Sequence, residues 1–262
     1  MKRVIAGLFA LGVLGAALAV GYRIGRHRFE TVNSLEHEIN YPITFGFVNR
    51  QPAIVICSER IVELPFVHHN LPYPYRGRVL DVGCRESEVV FQLASLGYEA
   101  WGIDIRPALV SFPGVHYVED DVCRHPFPAG YFDAAIALST VEHIGLGGYG
   151  NTNPDEQGDL HALQAVNRAL NPAGRLILTV PFGQRGQTGW YRVYDHQRLE
   201  DLLAQSGFKA ETEDFWRAQG IAWIPSPWTE AEQADSLTDE TARGVACVLA
   251  HPVAGAGGRA PR

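Results

Sequence analysis

Residues 78–104 read RVLDVGCRESEVVFQLASLGYEAWGID. The apolar segment 78–82 ends at a glycine, as a buried parallel strand does. Apolar positions over 86–96 then recur at helical spacing until the next glycine, which is typical of a helix end. A second apolar segment, 98–103, ends at Asp104. The stretch therefore predicts a strand–helix–strand unit with a polar residue after each strand.

The same alternation continues through most of the chain. Further strands are predicted at 115–118, 132–138 and 175–180, from residue 208 onward and at 244–250, with helices at 159–170 and 196–206. This order predicts an α/β fold with a doubly wound, mostly parallel sheet. The crossovers between the strands of such a sheet should be right-handed. Ligands bind at the carboxyl ends of its strands.

Composition limits the classes of function. The chain has 262 residues, enough for one sizeable core, and a formal net charge of −7. That charge argues against sequence-independent binding of nucleic acid, which needs a basic face. The four cysteines, at 57, 84, 123 and 247, lie far apart and indicate reduced thiols rather than disulfides or a metal site. The adjacent His68 and His69 point to opposite sides of any regular element, so no metal is expected there.

An apolar run at 4–20 is followed by arginines at 23, 26 and 28. Three interpretations remain open: a membrane anchor, a cleaved signal peptide with Ala17-Leu18-Ala19 at its cleavage site, and a buried core helix. Positive charge directly after the run favours an anchor with the following domain on the cytoplasmic side. The predicted organisation is an N-terminal hydrophobic helix at 1–22, a basic linker and lead-in, a domain and a disordered tail, with the last three at 23–75, 76–251 and 252–262.

Polar residues follow four of the predicted strands. Asp81 and Gly83 belong to the first, and Asp104 ends the second, 23 residues after Asp81. A glycine after the first strand lets backbone N–H groups approach a ligand, and a carboxylate after the second can accept both hydroxyls of a ribose. Asp121 with Val122 follows the third strand and suits an adenine. The segment Ser139-Thr-Val-Glu-His143 follows the fourth.

With these residues in place, the chain over about 76–251 resembles the class I S-adenosylmethionine (SAM)-dependent methyltransferases. The matching stretches, in the family's order, are VLDVGC, LASLGYEAWGIDIRP, VEDDV, FDAAIALSTVEHIGLGGYG, NPAGRLILTVPFG and WYRVYD. The resemblance implies SAM as cofactor. It implies that Asp81 and Gly83 lie by its methionine part, Asp104 binds the ribose, Asp121 and Val122 hold the adenine, and Ser139 or Thr140 lines the pocket near the methyl group.

The chain departs from the family after its first strand. Arg85 and Ser87 stand where the family has its later glycines. If Arg85 must adopt a positive φ, strain of about 1 kcal/mol or more is expected. Its guanidinium could instead contact the carboxylate of SAM.

Methyl transfer needs a general base only where the acceptor must lose a proton. His143 is the first candidate because its ordinary pKa suits neutral pH, and Glu142 is the second. Asp195 and His196 are weaker candidates, because they equally suit a helix start. The glycine-rich loop 145–158 is expected to close over a small-molecule, sugar or lipid acceptor together with other aromatic and polar residues, namely Tyr149, Trp190, Tyr191, Arg192 and Tyr194.

Two further classes of function compete with a methyltransferase. A nicotinamide-dependent enzyme would carry G-x-G-x-x-G after the first strand, and this chain has only Gly83 there. A catalytically degenerate binding or scaffold protein on the same fold is the other alternative, and Arg85 and Ser87 are its support. The oligomeric state is not indicated by the sequence.

Overall fold

The computed structural model describes residues 39–74, 76–151, 154–238 and 241–253. The predicted hydrophobic helix at 1–22 lies outside these residues, as do most of the linker and most of the tail. Within the described ranges, no helix is both long enough and apolar enough to cross a bilayer.

The described chain forms twelve strands, five helices and two short 3₁₀ turns. The strands are β1 (Ile43–Val48), β2 (Gln51–Cys57), β3 (Arg78–Val82), β4 (Glu99–Asp104), β5 (Val115–Glu119), β6 (Phe132–Leu138), β7 (Leu170–Pro181), β8 (Gly186–Gln187), β9 (Arg192–Val193), β10 (Phe208–Gln219), β11 (Ala222–Pro225) and β12 (Gly244–Pro252). The helices are α1 (Arg60–Asn70), α2 (Val89–Leu96), α3 (Gly158–Ala169), α4 (His196–Gln205) and α5 (Trp228–Ala231), and the 3₁₀ turns are Cys84–Glu86 and Val141–His143.

Eight strands form the central sheet, in the order β11-β10-β12-β7-β6-β3-β4-β5. The five strands from β7 to β5 in this order pair in parallel with one another. The pairs β7–β12, β12–β10 and β10–β11 are antiparallel. The predicted mostly parallel sheet is therefore confirmed. The chain runs outward from β3 to β5 on one side and from β6 to β7 on the other, so the order reverses between β3 and β6. Ligands of doubly wound sheets bind at this position.

Helices cover both faces of the sheet. On one face, Leu163 of α3 and Leu199 of α4 belong to a buried cluster with Leu80 of β3. On the other face, Phe66 of α1 joins a second cluster with Val79 of β3. Neighbouring residues of β3 point to opposite faces because side chains alternate along a strand. Both layers hold β3 in the middle of the fold.

The lead-in contains Pro42, Pro52, Pro65, Pro72 and Pro74, which favour short broken segments, but its structure is more regular. It forms the hairpin β1–β2 and the 11-residue helix α1, which contains Pro65. Proline inside a helix removes one backbone hydrogen bond, which is why the sequence favours a break at that position. Burial of Phe66 and Val67 in the core offsets this cost. The compact unit accordingly extends from Tyr41, well before the boundary at 76 predicted from the sequence.

Candidate functional site

The loops after β3, β4 and β5 are joined by hydrogen bonds to one another. The N–H of Gly83 donates to the carbonyl of Ile103 at 2.8 Å, and the N–H of Asp120 donates to the carbonyl of Asp104 at 3.0 Å. The N–H of Arg85 donates to Asp104 Oδ2 at 3.1 Å. Two of the predicted strand-end residues, Gly83 and Asp104, therefore lie with Arg85 in one continuous edge of the sheet.

Gly83 brings the loops after β3 and β6 into contact. It has φ of +72°, and a Cβ at this position would lie 2.4 Å from Cγ2 of Thr140. Both the left-handed backbone and the close approach exclude a side chain. This position is the one in the first loop where glycine is required.

Arg85 does not need a glycine's conformation. It lies in the 3₁₀ turn Cys84–Glu86, outside the described non-glycine residues with positive φ. Ser87 is extended, with φ of −113°. The strain expected for Arg85 is therefore absent from this turn. Its side chain extends along the neighbouring loop, where Nε donates to the carbonyl of Pro107 at 3.1 Å.

Asp104 is held from two sides. Its Oδ1 accepts from the N–H of Arg106 at 3.0 Å, while Oδ2 accepts from Arg85. Arg106 continues the network through Nη1, which lies 2.7 Å from Oε1 of Glu86. Oδ1 also accepts from Nε of Arg106 at 3.4 Å, whereas Oδ2 keeps a second lone pair for a further donor such as a hydroxyl.

Asp81 is the most unusual residue of the site. The residue is 1% exposed, and neither side-chain oxygen has a hydrogen-bonding partner of normal geometry among the described residues, although the N–H of Val90 lies close. The pKa of Asp81 is raised to about 8, mainly by burial. Arg60 acts to lower this pKa, and Asp104 acts to raise it. A buried carboxyl without partners costs about 1–3 kcal/mol, so its presence at a strand end points to a ligand.

Asp81 belongs to a group of charged side chains around the buried Arg60, which we term the Arg60 cluster. Its members interact electrostatically with Arg60 and are Glu59, Glu63, Asp81, Glu142 and Arg60 itself. Burial raises the pKa of both Glu59 and Glu142. In the described chain, Arg60 Nε and Glu142 Oε2 also lack hydrogen-bonding partners. The cluster has one guanidinium among four carboxyls, and burial favours the protonated form of three of them, Glu59, Asp81 and Glu142.

Ser139 links this cluster to the end of β6. Its hydroxyl donates to Oε1 of Glu63 at 2.6 Å, and its N–H donates to Oγ1 of Thr179 at 2.9 Å. Its φ of +42° is unusual for a residue with a side chain and indicates backbone strain. The predicted position near the methyl group is thus occupied by a serine fixed from two elements.

His143 and Glu142 lie side by side in the 3₁₀ turn after β6. Nδ1 of His143 lies 2.8 Å from the carbonyl of Trp190, and Nε2 lies 3.7 Å from Oε1 of Glu142. A carbonyl accepts only, so Nδ1 carries the proton and Nε2 has a free lone pair in the neutral ring. Burial lowers the pKa of His143, which keeps the ring neutral.

We use the term aromatic lid for the rings of His143, Tyr149 and Trp190 together with the guanidinium of Arg106. Tyr149 and Trp190 pack on His143, which belongs to the 3₁₀ turn itself. The rings of Tyr149 and Trp190 lie 4.6 Å apart, and His143 contacts each ring at 5.3 Å. The Arg106 guanidinium lies 4.2 Å from the centre of the Tyr149 ring. The loop tip is therefore joined to the same arginine that contacts Asp104.

The base of the loop is closed by a buried arginine. Arg192 is fully buried and donates to four backbone carbonyls, those of residues 142, 144, 155 and 156. The hydroxyl of Tyr194, also fully buried, donates to Asp159 at 2.9 Å, and the hydroxyl of Tyr191 donates to the carbonyl of Ser236. These three side chains lie beneath the loop, so their predicted contact with an acceptor stays a prediction that would need the loop to open.

Asp121 lies at the outer end of the site. Its Oδ1 accepts from the N–H of Cys123 at 2.9 Å, which fixes the turn after β5. Val122 is buried in the core cluster that contains Ile103. Their predicted contact with an adenine stays a prediction.

Five residues of the site were missed by the sequence analysis, namely Glu59, Arg60, Glu63, Glu86 and Arg106. Arg60 and Glu63 lie in the lead-in, 21 and 18 positions before Asp81 in the sequence. Their i, i+3 spacing was the only signal, and it is common on exposed helices as well. Nothing in the sequence indicated that the pair would be buried.

Comparison with known proteins agrees with the geometry. Residues 80–178 match the family model described as a methyltransferase domain. A ubiquinone biosynthesis O-methyltransferase of Xanthomonas axonopodis pv. citri (strain 306) is 29% identical over 130 residues, which are 45% of this chain and 48% of that protein. The chain thus spans about half the length of the curated relatives it matches.

Two solved structures share the fold. A SAM-dependent methyltransferase from Methanosarcina mazei superposes with a TM-score of 0.51 at 16% identity, covering 72% of this chain and 97% of that one. The 1,6-didemethyltoxoflavin-N1-methyltransferase of Burkholderia thailandensis, with its substrate and S-adenosylhomocysteine bound, also gives 0.51 at 16% identity, covering 74% and 77%. The predicted resemblance is confirmed for the fold and for residues 80–178, which match a methyltransferase domain.

Proposed function

We propose that the protein transfers a methyl group from SAM to a small-molecule or lipid-linked acceptor. The observation that carries this proposal is the buried carboxyl of Asp81, whose oxygens have no hydrogen-bonding partner of normal geometry within the described structure, next to Asp104 at the reversal point of the sheet. A buried polar group without partners is rare unless a ligand completes it.

The charges of the site fit the amino-acid end of SAM. Asp81 and Glu142 offer unpaired oxygens, and Arg60 offers an unpaired Nε–H within the described structure. An ammonium group would satisfy carboxyl oxygens, and a carboxylate would satisfy the guanidinium. Because burial raises the pKa of Glu59, Asp81 and Glu142, a ligand that brings positive charge would stabilise their ionised forms.

The adenosyl end is assigned to Asp104. Its oxygens are oriented by the N–H groups of Arg85 and Arg106, and Oδ2 keeps a lone pair for a hydroxyl donor, while the long contact of Oδ1 with Arg106 Nε at 3.4 Å can give way to a second one. A side chain fixed in this way loses little entropy on binding. Asp121 and Val122 remain the proposed neighbours of the adenine.

SAM supplies a sulfonium whose methyl group is already activated for displacement, so the chain's task is to align the acceptor and exclude water. The aromatic lid suits the second task, since Tyr149 and Trp190 pack over the turn that carries His143. The orientation of His143 suits removal of a proton from an acceptor, because its Nε2 has no proton in the neutral ring.

A degenerate scaffold finds less support. Its basis was the replacement of two glycines by Arg85 and Ser87, and neither residue adopts a positive φ. The resulting turn still presents a backbone N–H to Asp104.

We also propose that the acceptor is reached at the cytoplasmic face of a membrane. The apolar run at 4–20, followed by three arginines, supports an anchor that holds the domain at the cytoplasmic face of a membrane. The relatives named above act on small molecules by their names, which supports an acceptor of that size.

The experiment is transfer of labelled methyl from SAM into membrane and soluble fractions of a cell extract. The proposal expects a labelled product in one fraction with the wild-type protein and none with Asp104→Ala. Absence of product in both fractions, with a protein that is folded, would contradict the enzymatic function.

A further inference from the structure

The hairpin β1–β2 is apolar and exposed on both faces. Phe45 and Phe47 are 75% and 76% exposed, and their cross-strand partners on the same face are Ile54 and Pro52. The opposite face exposes Val48 beside the turn, and Ile56, which pairs with Thr44 beyond an irregularity in the register, is exposed as well. Cross-strand partners lie on one face of a hairpin and successive residues on opposite faces, so Phe45 and Val48 show that neither face is packed against the residues that the structure describes.

The charge of the hairpin differs from that of the whole chain. Residues 43–57 contain no Asp or Glu, and Arg50 is their only Lys or Arg, in a protein of net charge −7. Asn49 and Arg50 both have positive φ, at 52° and 65°, which forms the tight two-residue turn at the hairpin tip. An exposed arginine at an apolar tip is suited to a surface that combines hydrocarbon with negative charge.

The chain before the hairpin is also apolar and basic. Residues 1–34 carry five Lys or Arg and a single Glu, and they include the apolar run at 4–20. Residues 21–42 separate that run from β1 and can span at most about 75 Å when extended. A bilayer that holds the run would therefore lie within reach of the hairpin.

Exposure on two faces decides between possible occupants. A protein surface or a neighbouring segment would cover one face of the hairpin and leave the other in water. A lipid surface surrounds both faces at once. The unpaired backbone groups at the two hairpin edges restrict it to shallow insertion, where head groups and water still form hydrogen bonds.

We propose that the β1–β2 hairpin is a membrane-docking element that inserts Phe45 and Phe47 into the interface of an anionic bilayer, with Arg50 at the head groups. The base of the hairpin is fixed to the domain, because Trp223 Nε1 donates to the carbonyl of Cys57 at 3.2 Å. Arg60, a member of the buried cluster, follows three residues after Cys57. Docking would therefore hold the donor site close to membrane-borne molecules.

Hydrogen exchange of the full-length protein tests the proposal locally, whatever the segment 4–20 does. Exchange is measured in peptides covering 43–57, with and without phosphatidylcholine vesicles that contain about 30% phosphatidylglycerol. We expect the vesicles to slow exchange in the hairpin by about tenfold or more. The double variant F45S/F47S should lose this slowing. Tyr73→Ser, which removes an aromatic side chain 83% exposed elsewhere, should keep it.

A second variant covers the case in which F45S/F47S unfolds the hairpin. Arg50→Glu keeps every apolar pair and should reduce the slowing on vesicles with phosphatidylglycerol. Equal slowing in the wild type and both hairpin variants would overturn the proposal, as would no slowing in the wild type. Slowing that grows with protein concentration without vesicles would also overturn it, because it would assign the surface to a second copy of the chain.

Discussion

The backbone N–H of Arg85 donates to the carboxylate of Asp104 across 3.1 Å. A residue that replaces an expected glycine thus supports the proposed ribose-binding side chain through its main chain. Its side chain is directed to the carbonyl of Pro107. Since the contact needs only a backbone amide, the departure from the glycine-rich pattern does not remove the site.

Gly83 should be the glycine of this loop that tolerates no substitution. Gly83→Ala introduces both backbone strain and a Cβ 2.4 Å from Thr140, whereas Gly220→Ala meets open space at a similar φ of +61°. We expect Gly220→Ala to lower the free energy of unfolding by about 1 kcal/mol. Gly83→Ala should lower it by about 1–3 kcal/mol more. Denaturant unfolding measures both, and equal losses would show that the contact with Thr140 is not tight.

Asp81 should make the free energy of unfolding dependent on pH. Its folded pKa of about 8 lies above its ordinary 3.8, so the folded state keeps a proton that the unfolded state loses. The wild type should therefore lose up to about 1.4 kcal/mol per pH unit from this group as pH rises from 4 to 8, and none beyond.

Asp81→Asn should remove this pH dependence and stabilise the protein near pH 8 while weakening its binding of SAM. Asp201→Asn, on the exposed side of α4, serves as the control and should leave the curve unchanged. Parallel stability curves for the wild type and Asp81→Asn would show that the carboxyl is not buried as described.

Arg192 should hold the loop closed from beneath. Arg192→Met leaves four carbonyls and Asp159 without their buried cation, and we expect a loss of about 3–5 kcal/mol in unfolding free energy. Peptides covering 142–156 should exchange faster. Arg217→Met removes a half-exposed ion pair with Glu230 and should change stability by less than about 0.5 kcal/mol. A similar effect of the two substitutions on the free energy of unfolding would contradict the role of Arg192 in holding the loop closed.

His143 should matter for transfer and not for cofactor binding. His143→Gln is expected to reduce methyl transfer by about 10²–10⁴-fold if the acceptor loses a proton, with unchanged affinity for S-adenosylhomocysteine. Because burial lowers the pKa of His143, the acidic limb of the wild-type rate should lie below pH 6.5. His161→Gln, at an exposed histidine paired with Asp155, is the control. An unchanged rate in His143→Gln would assign this ring to packing.

The strands were the most predictable part of the fold. The predicted bounds of β3 and β6 match those observed, because strands buried on both faces are continuous apolar runs. Helix α1 was missed, since Pro65 favours a break and only burial of Phe66 shows why the helix continues. Local sequence patterns carry no information on such long-range packing.

The candidate site was only partly predictable for a similar reason. Asp81 and Asp104 could be placed at one edge because parallel strands end there. The contact of Ser139 with Glu63 joins residues 76 positions apart, and no spacing rule connects them. Arg192 has the composition of a binding residue, but its complete burial depends on the closure of a loop that only the structure shows.

Calorimetry of the full-length protein with S-adenosylhomocysteine tests the donor site most directly. We predict micromolar binding by the wild type and a loss of about 100-fold or more in Asp104→Ala, with both proteins folded by circular dichroism. If the wild type shows no binding, or if Asp104→Ala binds as tightly as the wild type, the carboxylates at these strand ends do not form a site for the adenosyl group.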